Sequence, residues 1–153
     1  MVQMIDDIDR KILNLLQRDA SLSVDQLAEN VNLSRNACWR RVKRLEADGI
    51  IQKRVAIVDP QALGLALQAL VLIRTNDHSA KWLEAFRRAV REMPEIMSAQ
   101  RMSGDLDYVL RVRVADMVAY DRFYQRLIEK VQIADVSASF VMEDLKETTA
   151  LPV

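Results

Sequence analysis

A basic amphipathic segment from Ser34 to Gly49 constrains this chain more than any other stretch. Ser34 is a favourable helix N-cap because its hydroxyl can accept a hydrogen bond from an unpaired N–H of the first turn. Gly49 is a favourable stop. Cys38, Val42 and Leu45 are spaced i, i+4 and i+7 and form a narrow apolar stripe. The segment is therefore predicted to be a helix with one buried face.

The other face of this helix carries cationic, amide and indole groups. A helix in the DNA major groove needs cations for phosphates and Arg or Asn side chains for base edges. The predicted DNA contacts are Ser34, Arg35, Asn36, Trp39, Arg40 and Lys43, with Arg41, Arg44, Lys53 and Arg54 as secondary contacts. Taken alone, the segment is equally compatible with a solvated surface helix, and Trp39 with packing beneath a neighbouring helix.

Two helical patterns precede the basic segment. From Asp6 to Arg18 the apolar residues fall at helical spacing, with Asp6 as the cap. Ser23 and Gln26 have the S-x-x-Q spacing of a capping box, which opens a short second helix. A helix, a short helix, a tight turn and a basic helix form a helix-turn-helix arrangement, whose last helix enters the groove. This order favours DNA binding over a merely solvated helix.

Charge distribution and residue content narrow the function classes further. The chain has 22 Lys and Arg against 22 Asp and Glu, but the stretch from Arg35 to Arg54 has seven cations against two acids. Such a local patch can steer DNA to one surface. One cysteine, which we assign to the core, fits a reducing cytoplasm, and one histidine cannot build a typical zinc site. No cofactor, metal or catalytic residue is predicted, and no apolar run approaches the roughly 20 residues that span a membrane.

The chain after Gly49 predicts a domain junction. Residues 50–58 are β-rich and form either a wing-like ribbon or a strand that leads to the next domain. Asp59 and Pro60 end this run, because proline cannot continue a strand ladder. We therefore predict a DNA-binding domain over residues 1–58, a linker over 59–64 and a second domain over 65–153.

The second domain alternates between strand and helix patterns. Strands are expected from Leu65 to Ile73, Ile96 to Met102, Asp107 to Val114 and Ile133 to Glu143, with helices that begin at Ser79 and Asp116. The order βαββαβ predicts an α+β, ferredoxin-like fold with an antiparallel sheet and both helices on one face. Because the strands are apolar on both faces, we expect a second copy of the chain to cover the other face.

Five separated motifs carry a family resemblance. They are Asp6 to Leu13, Asn32 to Ser34 with Arg40 to Ile51, Asp59-Pro60 with Leu63-Gly64, Gly104 to Tyr108, and Glu143 to Pro152. In this order they resemble the Lrp/AsnC family of leucine-responsive and feast/famine regulators. The resemblance implies a cytoplasmic transcription regulator that binds double-stranded DNA and whose dimers assemble further, often to octamers. It also implies a small effector, usually an amino acid, at the junction between dimers near the glycine–aspartate turn.

The resemblance makes the Gly104 turn the candidate effector site. Gly104 permits a positive φ or a close backbone approach. Asp105 and Asp107 have the charge to receive a ligand's ammonium group, although aspartates of a plain hairpin turn also satisfy their own backbone. Five further residues are expected either to line the pocket or to belong to an interface core. These are Met102, Tyr108, Val136, Ala138 and Ser139.

Two alternatives stay open at this point. One is an enzyme similar to the siroheme decarboxylases, which pair the same two domains but are expected to use histidine and arginine around the tetrapyrrole. Here His78 lies in a polar loop, outside the expected cavity. The other alternative is an effector-independent, nucleoid-type DNA-binding protein.

Overall fold

The computed structural model describes residues 4–153, so the first three residues of the predicted domain 1–58 lie outside it. The chain forms two compact units. The first, which we call the helical unit, comprises the chain up to Ile57 together with Lys146–Val153. The second, the sheet unit, comprises Val58–Leu145. The sequence assigns residues 65–153 to one domain, whereas the structure packs residues 146–153 with the helical unit.

Three helices build the helical unit: α1 (Asp7–Arg18), α2 (Val24–Asn30) and α3 (Arg35–Ala47). Each begins at a side-chain cap. Asp6 Oδ1 accepts the backbone N–H of Asp9 at 2.8 Å, and Asp9 Oδ2 accepts the backbone N–H of Asp6 at 3.2 Å. Ser23 forms the same reciprocal box with Gln26, and Ser34 caps α3. These bonds satisfy donors that a helix start leaves unpaired, so all three helices begin where the sequence predicts.

The apolar stripes of the three helices form one core. Ile12, Leu27, Cys38 and Leu45 are almost completely buried in it. Burial also raises the pKa of the Cys38 thiol, because the thiolate loses its hydration. The cysteine is therefore a core residue, as its place on the apolar stripe predicts.

The run after α3 is a connection without regular secondary structure. Residues 52–58 pair with no strand in the described range 4–153, and Val55, Ile57 and Val58 are exposed. A ribbon needs two paired strands, and no strand is assigned to residues 48–60. Within residues 4–153 this run therefore forms neither the wing-like ribbon nor the strand expected from the sequence, and it leads to the sheet unit as an irregular connection.

The C-terminal residues complete the helical unit through backbone contacts with α1. The side-chain amide of Gln17 accepts the N–H of Leu151 at 2.7 Å and donates to the carbonyl of the same residue at 3.2 Å. Asn14 Nδ2 donates to the carbonyl of Val153 at 2.7 Å. Two side chains on one face of α1 therefore hold the end of the chain by its backbone.

The sheet unit has the order β1 (Leu67–Arg74), α4 (Ala80–Glu92), β2 (Ile96–Arg101), β3 (Tyr108–Val114), α5 (Met117–Lys130) and β4 (Asp135–Phe140). Its four strands are arranged β2-β3-β1-β4, and every pairing is antiparallel. The predicted βαββαβ fold is confirmed, with strands one to three residues shorter at several ends.

Both helices contribute to a single core on one face of this sheet. Val71 and Leu110 are paired across β1 and β3 and are fully buried, together with Phe123 and Leu127 of α5. On the opposite face of the sheet, Leu70 is 37% exposed in the single chain.

In the range 4–153, no helix is long and apolar enough to cross a membrane.

Candidate nucleic-acid interface and effector turn

The outer face of α3 presents a continuous polar surface. The six primary candidates are all exposed there, and Trp39 keeps 50% of its surface exposed, so it is not packed beneath a neighbouring helix of its own chain. They are Ser34, Arg35, Asn36, Trp39, Arg40 and Lys43. Because Cys38, Val42 and Leu45 hold the inner face in the core, these side chains are directed outwards together.

Three cations of this surface form exposed ion pairs within the chain, and these pairs leave the surface accessible to solvent. Arg35 lies 3.4 Å from Asp25, while Lys43 and Arg54 approach Glu46 at 2.8 and 3.2 Å. The hydrogen bond from Lys43 lowers the pKa of Glu46. Pairs of this kind contribute about 0–1 kcal/mol, so a phosphate can replace the carboxylate at low cost.

Arg40 and Lys53 differ from these three cations. Both are exposed, and neither has an ion-pair partner within the described part of the chain. They are available to a polyanion without breaking any internal bond.

The two secondary candidates on α3, Arg41 and Arg44, turn towards α1 instead. Arg41 Nη1 donates to Asp6 Oδ2 at 2.7 Å and to Asp9 Oδ1 at 2.9 Å. Arg44 Nη2 donates to the second carboxylate oxygen of Asp9. The carboxylate of Asp9 is completely buried, whereas about a quarter of each arginine side chain is exposed. These arginines fix the orientation of α3 on α1.

Asp9 is not among the residues predicted from the sequence, although the sequence contains a signal for it. Asp9, Ile12, Leu13 and Leu16 are spaced i, i+3, i+4 and i+7. Asp9 therefore occupies a position on the apolar stripe of α1. A carboxylate at such a position requires a cationic partner because an unpaired buried charge is costly. The helix that packs against this stripe supplies the partners.

The same cluster lowers the pKa of Asp6 to about 2. The largest cause is the backbone N–H of Asp9, and the hydrogen bond from Arg41 comes next. Both interactions favour the ionised carboxylate. In turn, the two aspartates raise the pKa of Arg41.

The predicted effector turn lies between β2 and β3. Gly104 has φ +111°, a conformation that favours glycine. The N–H of Met102 donates to the carbonyl of Asp107 at 2.8 Å and closes the turn. The carboxylate of Asp107 accepts the N–H of Thr75 at 2.8 Å, so it ties the turn to the end of β1. The carboxylate of Asp105 is exposed, with no hydrogen-bond partner among residues 4–153.

Arg74 organises this end of the sheet and was not singled out from the sequence. Its Nε donates to the carbonyl of Asp105 at 2.9 Å, and its Nη1 lies 3.3 Å from Asp135 Oδ2. Arg74 thus joins the turn to the first residue of β4. Its position as the last residue of an apolar strand was the available signal, because a cation there reaches neighbouring strand ends.

The other predicted effector residues are divided between the two faces of the sheet. Tyr108 packs beneath α4, with its ring centroid 4.5 Å from that of Phe86. Val136 and Ala138 are paired with Ile73 and Val71 and therefore share the helix-covered face. Ser139 lies on the opposite face. Within one chain, Tyr108 and Val136 flank Ile73 at the end of the sheet that carries the turn, whereas Ala138 and Ser139 lie further along β4.

The geometry thus defines a two-part protein. The helical unit has a helix-turn-helix whose last helix presents a polar and cationic face, and the sheet unit has a ferredoxin-like fold with an accessible acidic turn. These are the features of a DNA-binding regulator with a small-molecule domain.

Comparison with known proteins identifies the family. The sequence model of a winged helix-turn-helix DNA-binding domain matches residues 5–52, and that of the Lrp/AsnC ligand binding domain matches residues 68–151. The chain belongs to the Lrp/AsnC family of DNA-binding transcriptional regulators.

Individual relatives agree with this assignment. The DNA-binding transcriptional activator DecR of Escherichia coli is 52% identical over 98% of this chain and 99% of its own length. The glutamate uptake regulatory protein of Zymomonas mobilis is 48% identical over 99% of this chain and 93% of its own. The crystal structure of a Neisseria meningitidis transcriptional regulator in complex with L-methionine superposes with a TM-score of 0.93, at 35% identity and 97% coverage of both chains. These names support a regulator rather than the decarboxylase-like enzyme.

Arg44→Met is expected to destabilise the helical unit by about 1.5–3 kcal/mol, the usual contribution of a hydrogen bond to a charged group. Methionine keeps most of the apolar stem but removes the guanidinium donor from Asp9 Oδ2, which then accepts only the N–H of Asp6 at 3.2 Å. Urea unfolding measures the loss. Arg40→Met is the matched control, since it removes the same group from an exposed position, and equal losses in both variants would contradict the assignment.

Asp6→Asn is expected to flatten the acid dependence of stability. Because the folded pKa of about 2 lies below the ordinary 3.8, Asp6 stabilises the fold above pH 3.8, and this contribution is lost as the pH falls towards 2. Asparagine retains the N-cap acceptor and removes the charge. Unfolding midpoints recorded from pH 5 to pH 2 should therefore fall more steeply in the native protein than in the variant.

Asp7→Asn serves as the control for this titration. It removes one acid from the exposed side of the same helix turn, where the structure shows no contact with Arg41. It should flatten the curve less than Asp6→Asn does, because Asp7 lacks the hydrogen bond from Arg41. A curve for Asp6→Asn that stays parallel to that of the native protein would show that Asp6 is not the titrating group.

Proposed function

We propose that α3 binds the major groove of double-stranded DNA through its six exposed primary residues. The observation that carries this proposal is the division of α3: its outer side chains face solvent, while Arg41 and Arg44 are committed to Asp9. The first turn of a recognition helix is the part nearest the base edges, so Arg35 and Asn36 are assigned to base contacts. Arg40 and Lys43, further along the helix, are assigned to phosphates.

The connection after α3 adds phosphate contacts. Lys53 and Arg54 follow α3 closely, and both are exposed. Arg41 and Arg44 act as positioning residues rather than as DNA contacts, because a phosphate would have to remove them from a buried carboxylate.

A dimer is the proposed DNA-binding species, and further assembly to an octamer is the proposed resting form. Leu70 and Leu72 of β1 and Val109 of β3 share the sheet face that the helices leave uncovered. Burial of this face by a second copy would remove apolar surface from water. Two recognition helices would then be able to read half-sites about one DNA turn apart. The cytoplasm, where chromosomal DNA is accessible, is the proposed compartment.

The proposed effector is an amino acid bound at the Gly104 turn. The exposed carboxylate of Asp105 would receive the ammonium group, and backbone N–H groups of the turn would meet the carboxylate. L-methionine in the Neisseria meningitidis relative supports this ligand class. Asp107 shapes the turn through Thr75. Because one chain separates Tyr108 from Ser139, the proposal places the remaining wall of the pocket at a junction between copies.

Arg40→Met is expected to reduce the slope of log K against log salt by about 1 for each bound protomer, as the loss of one phosphate contact requires. Fluorescence anisotropy with a DNA site selected from random sequence would measure this slope between low and moderate salt. Lys81→Met, which removes an exposed cation from the sheet unit, is the control and should leave the slope unchanged. An unchanged slope in Arg40→Met would exclude Arg40 from phosphate contact.

A thermal-shift screen of the twenty amino acids should identify at least one that raises the melting temperature, because a ligand that binds only the folded state stabilises it. Asp105→Asn is expected to weaken that ligand about tenfold or more, the equivalent of one charge-assisted hydrogen bond. Asp121→Asn, on the exposed side of α5, is the charge-matched control. No stabilisation by any amino acid would favour the effector-independent alternative.

A further inference from the structure

A cleft in the sheet unit lies between α4 and β2, the strand at one edge of the sheet. Its volume of about 380 Å³ falls in the range of small-molecule sites. Leu83, Phe86, Val90 and Tyr108 supply its apolar surface. Phe86 is almost completely buried and its ring packs against that of Tyr108 at 4.5 Å, so this part of the cleft is a rigid aromatic wall.

Three guanidinium groups line the same cleft, from Arg87, Arg91 and Arg101. Arg91 forms an ion pair with Glu84, with 3.2 Å between Nη2 and Oε1. Arg87 and Arg101 are exposed and have no ion pair within residues 4–153. None of the described residues that line the cleft is an acid. The cleft therefore combines an apolar wall with uncompensated positive charge.

We propose that this cleft binds a carboxylate with an apolar body and no ammonium group, such as a branched-chain fatty acid or a 2-oxo acid. A guanidinium matches a carboxylate through two parallel hydrogen bonds, and the aromatic wall receives the hydrocarbon part. An α-amino acid fits poorly, because its ammonium group would face three cations and find no carboxylate to accept its protons.

The cleft and the Gly104 turn differ in the chemistry that they select. At the turn, the exposed carboxylate of Asp105 can receive an ammonium group, whereas the cleft rejects one. The inference thus concerns a second ligand class and stands whether or not an amino acid binds at the turn.

Three probes with one carbon skeleton test the inference. These are 4-methylpentanoate, L-leucine, which adds an amino group, and 4-methylpentan-1-ol, which lacks the carboxylate. Methyl NMR of the full-length protein follows the signals of Leu83 and Val90 during each titration. We expect saturable shifts with 4-methylpentanoate and about tenfold weaker binding of the other two probes. The alcohol loses one charge-assisted interaction, and the ammonium group of L-leucine is repelled by the three arginines. Absence of saturable shifts with 4-methylpentanoate, or equal binding of L-leucine, would overturn the inference.

Variants assign the binding to this cleft. Arg87→Gln and Arg101→Gln are each expected to weaken 4-methylpentanoate about tenfold. Arg88→Gln is the matched control, because Arg88 is the next residue on α4 and lines a different groove. Asp105→Asn should leave this binding unchanged, which separates it from the proposed effector turn. Equal weakening by Arg88→Gln would show general charge attraction and overturn the site.

Discussion

The buried carboxylate of Asp9 forms the interactions on which the orientation of the proposed DNA-binding surface depends. Each of its oxygens accepts a hydrogen bond from one of two arginines that lie one turn apart on α3, and Oδ2 also accepts the backbone N–H of Asp6. A single apolar stripe would allow α3 to rotate or slide by small amounts at little cost. Two directional, charge-assisted bonds to one fixed carboxylate remove that freedom. The outer face of α3 is therefore presented at a defined angle before any DNA arrives.

The arginine-rich sequence of α3 accordingly has two uses. Arg40 and Arg41 are neighbours in the chain, yet one is exposed and the other is bonded to α1. A helix turns about 100° per residue, so adjacent side chains of identical type face different surroundings. Charge content alone overstates the number of cations that can meet a phosphate, and the internal partners decide which of them remain available.

Periodicity and capping were sufficient to predict the helices and the βαββαβ order, because both are local properties of the sequence. The site was less accessible. The exposed face of α3 follows from its apolar stripe, whereas the roles of Arg41, Arg44 and Arg74 depend on residues 30 or more positions away in the chain. The eight candidate effector residues were likewise predicted from a family resemblance, since their spacing in the sequence does not show which of them are close together. The pairing of β4 with β1 places Ser139 on the face opposite Val136. Long-range register is fixed by packing, which spacing in the sequence does not encode.

The tail after β4 gives the helical unit an unusual boundary. Gln17 holds the backbone of Leu151 by both its N–H and its carbonyl, so a part of the helical unit is encoded at the far end of the chain. The helical unit consequently cannot be exchanged between proteins as one continuous N-terminal segment. A chimaera that joined residues up to 57 to the remainder of a paralogue would place a foreign tail on α1, and a C-terminal fusion would add its bulk beside Asn14. Recombination within the family must therefore preserve both ends of the chain together.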